Sequence, residues 1–368
     1  MRKIIFLLLL SFTGEAFAQN TYVPDDNFEQ ALINLGYDTV LNDSVPTANI
    51  QNVVTLNIIG KGIADLTGIE DFSALEVLHC GNNQISVLDL SQNTMLRNLS
   101  CTQNPLTDLN ISTLSQLQTL SLSQTLLTSL DLSQNPNLTY LYCANNSQLS
   151  SLNITQNTAL TQLRCFGNQL TTLNVSQNTA LTDLNCAFNQ LTSIDVSNNT
   201  NLEVFNCIFN QITQLDLSQN TLLETIQCRN NQLTSLNVRN GNNNIITQFN
   251  STNNPDLTCI EVDDPAWSSA NWTNIDSQQY FSADCSTQSV DNEEVNVGIF
   301  PNPASEYFIV NTPLEIGRVS ITDLSGKTVK TYAPVHRYEL EELPEGIYFV
   351  RIQLKRTGRS VNRSLIIR

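Results

Sequence analysis

The sequence predicts a mainly β chain in two parts: a solenoid of about nine coils of 21 residues with end caps, then a small immunoglobulin-like β-sandwich. Three observations carry this. Cys80, Cys101, Cys143, Cys165, Cys186, Cys207 and Cys228 fall 21 residues apart or close to a multiple of it. Each lies in a Leu-x-x-Leu-x-Cys-x-x-Asn frame, with Phe205 and Ile226 replacing the second leucine in two coils. From Val297 the period ends and strand-like alternation begins. A fixed period of this kind marks a solenoid, because one repeat can bury its apolar face only against its neighbours.

The chain opens with Arg2 and Lys3, an apolar run from Ile4 to Leu10, and Ala16-Phe17-Ala18. Residues 1–18 are expected to be a secretory signal peptide, the mature chain beginning at Gln19. No later stretch approaches the ~18 continuous apolar residues of a membrane span. Residues 19–74 read as an N-terminal cap. Asp25 or Asp26 caps a helix whose Phe28, Ala31, Leu32 and Leu35 form one face before Gly36, and irregular half-repeats continue to Ala74.

Residues 75–264 are the repeat. In the unit from Leu181, the residues Leu181, Leu184, Cys186, Leu191, Ile194 and Val196 point inward, Leu-x-Cys makes one short strand, and Ile-Asp-Val a second rung opposite. Leu122 stands in the cysteine slot between Cys101 and Cys143, and Ser147 is the insertion that lengthens one step to 22. This pattern resembles the leucine-rich repeat family, with cysteine in the third apolar slot. Asn83, Asn104, Asn146, Asn168, Asn189, Asn210, Asn231 and Asn254 form a column that satisfies backbone groups where the chain leaves each strand. Thr125 breaks the column, which predicts a looser third repeat.

Stacked in parallel at ~4.8 Å, seven thiols of one column miss the ~3.8 Å Cβ separation that a disulfide needs. They are read as buried free thiols packing as small hydrophobes. Cys259 and Cys285 lie off the beat, Cys259 at an outward-facing position of the last coil, and are expected to bridge. Ser251 takes the last cysteine slot, and the cap at 265–286 brings Trp267, Trp272, Tyr280 and Phe281 to the open end.

A polar linker at 287–296 leads to a module at 297–368, with strands expected at Glu306–Val310, Val319–Asp323, Lys327–Thr331, Ile347–Leu354 and Ser360–Ile367. Its Phe300-Pro-Asn-Pro303, its Val319 to Lys327 segment, its Leu343-Pro-Glu-Gly346-Ile-Tyr-Phe-Val350 and its basic Arg363 to Arg368 end resemble the C-terminal sorting domain of the type IX secretion system. The resemblance implies interaction with that machinery, passage through the outer membrane, removal of the domain, and release or attachment at the cell surface.

Charge divides the same way. Five Lys or Arg face 26 acids between Gln19 and Val295, whereas ten face seven from Asn296 onward. An array this acidic repels nucleic acid and anionic lipid. No nucleophile–base pair is found: strand alternation turns His79 outward and its neighbour Cys80 inward. Neither a zinc spacing nor a phosphate-binding loop occurs. The chain therefore reads as no enzyme, without a cofactor. One column, Asp89, Asn110, Asp131, Asn153, Asn174, Asp195, Asp216 and Asn237, suits Asx turns, with bridging Ca²⁺ as the alternative.

The candidate ligand-binding residues are Tyr140, Tyr142, Arg164, Phe166, Phe188, Ile208 and Phe209, at outward strand positions of four consecutive coils on the concave side. Clustered aromatics beside an arginine suit a protein hot spot or sugar-ring stacking. The competing expectation is that Phe188 and Phe209 fold back to pad the core edge. The expected function is recognition or adhesion toward an extracellular protein or glycan. A structural surface coat without a specific ligand is the alternative.

Overall fold

A computed structural model describes residues 19–285, 297–312, 315–355 and 360–368. The expected signal peptide and linker, with residues 313–314 and 356–359, lie outside the described residues. The chain divides into two compact units, one through Cys285 and one from Ser286.

The first unit is a solenoid. Ten three-residue strands, from Thr55–Asn57 to Gln248–Asn250, form a parallel sheet in which each coil pairs with the next. The central residue of every strand is buried and its two flanking residues face outward, so Leu78, Leu99, Leu120, Leu141, Leu163 and Leu184 stack into one apolar wall. The column cysteines stand two residues after the central strand residue of seven coils, all buried and free. The array begins one coil earlier than expected, because Thr55–Asn57 already pairs with Val77–His79 inside the region read as irregular cap. The opposite rung is a ladder only toward the far end, at Gln214–Asp216, Ser235–Asn237, Cys259–Glu261 and Tyr280–Ser282.

At the N-terminal end a helix spans Asp26–Asn34, capped by Asp25, whose carboxylate accepts from the N–H groups of Asn27 and Phe28. Phe28, Ala31 and Leu32 are its buried stripe. Leu35 departs from the expected face: it is the C-cap residue, beyond the last turn that reaches the core, and lies exposed. Glu29 is fully buried instead, its carboxylate taking the N–H groups of Asn42, Asp43 and Ser44. Asp26 and Asp43 stand beside it, but its oxygens are already committed to those amides.

At the other end Phe249, Trp272 and Phe281 close the core, with the Phe249 and Trp272 rings stacked 4.3 Å apart. The indole N–H of Trp272 donates to Ile246 O. A helix at Pro265–Asn271 and the strand Tyr280–Ser282 complete the cap, held by the Cys259–Cys285 disulfide. Cys259 is buried under that bridge rather than outward-facing. Ser251, in the cysteine slot, is buried and donates to Gln279 Oε1 at 2.7 Å, while Gln279 Nε2 returns a bond to Ser251 O.

The second unit packs two antiparallel sheets around Phe308, Tyr338, Val319, Val350 and Leu365. One is Gly298–Phe300, Tyr307–Asn311 and Tyr338–Glu339; the other runs Thr328–Tyr332, Ile316–Thr322, Gly346–Leu354, Ser360–Ile367. The first and fifth strands in chain order, Gly298–Phe300 and Tyr338–Glu339, were not legible in the sequence: they are too short to show alternation.

Candidate recognition surface on the solenoid

Two asparagine ladders set the geometry of every coil. In the first, each Nδ2 donates to the carbonyl of its own coil's cysteine and to that of the coil before: Asn189 bonds Cys186 O and Cys165 O, both at 3.0 Å. Its Oδ1 accepts from Leu170 N at 3.0 Å. Asn104, Asn210 and Asn231 repeat the arrangement. Thr125 does not loosen its coil as expected. It is buried, and both its N–H and its hydroxyl donate to Asn146 Oδ1, while Asn146 Nδ2 serves Leu122 O.

These ladders hold the turn after each strand, and with it the outward side chains. The residue just before each ladder Asn has a left-handed backbone: Asn82, Gln103, Gln124, Asn145, Gly167, Phe188, Phe209, Asn230 and Asn253 share φ between 52° and 70°. Asn and Gly suit that conformation, whereas a bulky side chain there is an outlier worth roughly 1–2 kcal/mol of strain. Phe188 and Phe209, on adjacent coils, occupy it all the same.

Their rings stack at 4.6 Å with an interplanar angle of 16°, and remain 48 % and 42 % exposed. Rings that padded the core would be covered. The guanidinium of Arg229, on the next coil, lies 5.6 Å from the Phe209 ring. A second pair, Tyr142 and Phe166, sits 6.0 Å apart on the two preceding coils. Tyr140, Tyr142 and Arg164 are strand residues, whereas Phe166, Phe188, Ile208 and Phe209 belong to the turn that follows, a correction to their expected strand placement. Strand alternation stops at the buried cysteine, and the ladder Asn turns the chain there. Arg164 is not a free cation beside the aromatics. Asp183, from the next coil, holds it at 2.7 Å.

All eight members of the Asp/Asn column form Asx turns. Asp89 Oδ1 takes the N–H of Ser91, Asp131 that of Ser133, Asp195 that of Ser197 and Asn237 that of Arg239, with the others alike. The serine N–H holds the carboxyls of Asp89, Asp131 and Asp195 below their usual range, so a hydrogen bond supplies the stabilisation that a cation was invoked for. Burial pushes the column thiols the other way: Cys101, Cys165 and Cys228 rise to about 12. They stay protonated and unreactive at neutral pH.

Residues 298–368 match the family described as Secretion system C-terminal sorting domain. An 81-residue stretch is 40 % identical to internalin J of Listeria monocytogenes, covering 22 % of this chain and only 9 % of that protein's length. The solved functional domain of internalin J, described as including a cysteine ladder, aligns at 23 % identity over 95 % of this chain and 99 % of its own, with a TM-score of 0.46. The leucine-rich-repeat ectodomain of the Arabidopsis thaliana receptor kinase GASSHO1/SCHENGEN3 aligns at 21 % identity over 64 % of this chain and 31 % of its own, with a TM-score of 0.50, a likeness of fold.

The chain is a leucine-rich-repeat protein with a type IX sorting domain. That domain directs export to the cell surface or the extracellular space. No helix among the described residues is long and apolar enough to cross a membrane.

Two features of the repeat array escaped the sequence reading. Arg229 was missed although it shares the slot after cysteine with Phe166 and Ile208. The second ladder, Asn93, Asn135, Asn157, Asn178, Asn199, Asn220 and Asn240, recurs as regularly as the thiols and is buried throughout. Its signal was an Asn closing a Leu/Val-Ser-x-Asn turn at Asn93, Asn135, Asn178, Asn199 and Asn220, masked by the abundance of Asn elsewhere.

Proposed function

We propose that the array is a non-catalytic recognition module, displayed outside the cell, which binds a protein or glycan through the aromatic surface on consecutive coils from Tyr140 to Arg229. Phe188 and Phe209 carry this reading. Two adjacent large side chains sit where the backbone favours Asn or Gly, stacked face to face and half in water. Strain of that kind persists where function retains it. Tyr142 and Phe166 extend the aromatic area, and Ile208 borders it. Asp183 fixes Arg164 at the edge, so directional polar contacts lie beside a flat apolar platform, as in recognition hot spots.

The test is a Phe188→Asn/Phe209→Asn variant of the full chain, profiled on extracellular-protein and glycan arrays. Asn holds this slot at 82, 145, 230 and 253, so folding is retained and the thermal midpoint rises, with about 1–2 kcal/mol of strain relieved at each site. Saturable hits of the parent protein should disappear. Hits that survive both this variant and Tyr142→Ser/Phe166→Ser would overturn the assignment, and self-association as the only interaction would favour a surface coat instead.

A further inference from the structure

The sorting domain carries an unsatisfied charge on one sheet face. Arg318 and Arg351 both point outward from neighbouring strands of the four-stranded sheet. In register, Ser320 pairs with Arg351 and Arg318 with Gln353. The two arginines are thus diagonal neighbours, with Cα atoms about 7–8 Å apart. Four other cations of the domain are engaged: Lys355 pairs with Glu315 at 3.5 Å, Arg337 with Glu339 at 2.7 Å, Lys330 donates to Glu341 O and Arg363 to Val297 O. The side chains of Arg318 and Arg351 have no such partner among the described residues. Together with Ser320, Gln353 and Ser360 they line a cleft of about 220 Å³ that contains no acid.

Along the same face the chemistry changes. Phe349 lies two residues from Arg351 and faces the same way, and Ile347, directly across from Ile366, lies two further on; all three are exposed. The face therefore runs from paired guanidiniums and hydroxyls to an apolar strip. Its outward groups recur every second residue, about 6.6–6.8 Å apart, which is the repeat of an extended peptide. Two close guanidiniums repel each other until a carboxylate joins them, and their forked donors match its oxygens.

We propose that this face, centred on Arg318 and Arg351, docks an extended segment of a protein of the export machinery, one that presents carboxylates to the arginines and apolar side chains to Phe349, Ile347 and Ile366. The segment lies on the sheet face, where these side chains project; the end of the Ser360–Ile367 edge, from Ser364 on, is already occupied by Asn302 and Ala304.

Two measurements test it with the full chain. In a type IX-competent host, Arg318→Glu/Arg351→Glu should lower the exported protein at least tenfold and leave it in the periplasm, as deletion of residues 297–368 should, and Arg351→Glu alone should lower it severalfold, whereas Lys327→Glu, a single charge reversal in a turn off this face, should not. With purified protein, a fluorescent Glu-Thr-Glu-Thr-Ile-Thr-Ile peptide should bind, weaken at least tenfold in the double variant, and weaken severalfold in Phe349→Ser and in high salt. Arg351→Gln, which keeps size and strand fit, repeats both readings should the double variant fail to fold. Normal export of a folded variant, equal peptide binding by parent and variants, or binding of anionic vesicles in place of the peptide would overturn the proposal.

Discussion

The two asparagine ladders use one side chain in two ways. Asn189 of the first ladder donates twice through Nδ2 and accepts Leu170 N through Oδ1, so every polar atom is used. Asn178 of the second also donates twice, to Ile154 O and Asn157 O, but its Oδ1 is buried with no protein donor, as are those of Asn93, Asn135, Asn157, Asn199 and Asn220. Only at the end of the array, in Asn240, does that oxygen find donors, from Asn242 N and Asn243 Nδ2. The first ladder solves a two-sided problem and the second a one-sided one. The chain's exceptions agree. The first admits only Thr125, which still donates to the ladder, whereas the second admits the wholly apolar Leu114. An Asn at 114 would serve Leu90 O and Asn93 O, and these already accept from Asn93 N and Leu96 N.

Alkali gives the largest effect and strikes the first-ladder side, where the thiols are. The folded array keeps protons on Cys101, Cys165 and Cys228 up to about 12, whereas the unfolded chain releases them near 9.0. Their contribution is complete below pH 9 and lost as pH climbs from 9 toward 12. Circular dichroism through that range should show cooperative unfolding; stability flat to pH 12 would remove the thiols from the energetics. Next comes Asn189→Leu, which strands Leu170 N in the interior and removes a second bond from two carbonyls. Chemical denaturation should show a loss of about 3 kcal/mol, at the upper end for one buried orphan. Asn178→Leu should cost less, about 1 kcal/mol, because it also deletes an oxygen that had no partner. Equal losses at the two positions would break the distinction.

The sequence showed the period, the apolar wall and the first ladder because those positions admit few alternatives. Its frame also located the thiols and the two cysteines that bond. The start of the array was harder to see: Thr55–Asn57 carries Leu56 in the strand slot, but Ile58 replaces cysteine and no ladder Asn follows three residues later, where Lys61 stands. At the candidate site the residue types were visible and their backbone state was not. Nothing in Cys-Ala-Phe-Asn or Cys-Ile-Phe-Asn reveals a left-handed Phe, because the conformation is imposed by the Asn that follows and by the coils on either side. Arg164 misled for a related reason, since its partner Asp183 is 19 residues away and becomes a neighbour only through sheet register.

Ser251 has a bearing on how long such a protein can be. It turns the thiol column into a hydroxyl, and among the described residues that hydroxyl donates to Gln279 of the cap. From Cys143 to Cys228 the junctions repeat the same cysteine and asparagine contacts, whichever coil makes them. Whole 21-residue units can therefore be duplicated or lost within that stretch by unequal recombination without touching either terminus. The serine acts as a stop codon written in hydrogen bonds, and coil number becomes a quantity that a lineage can change in single steps.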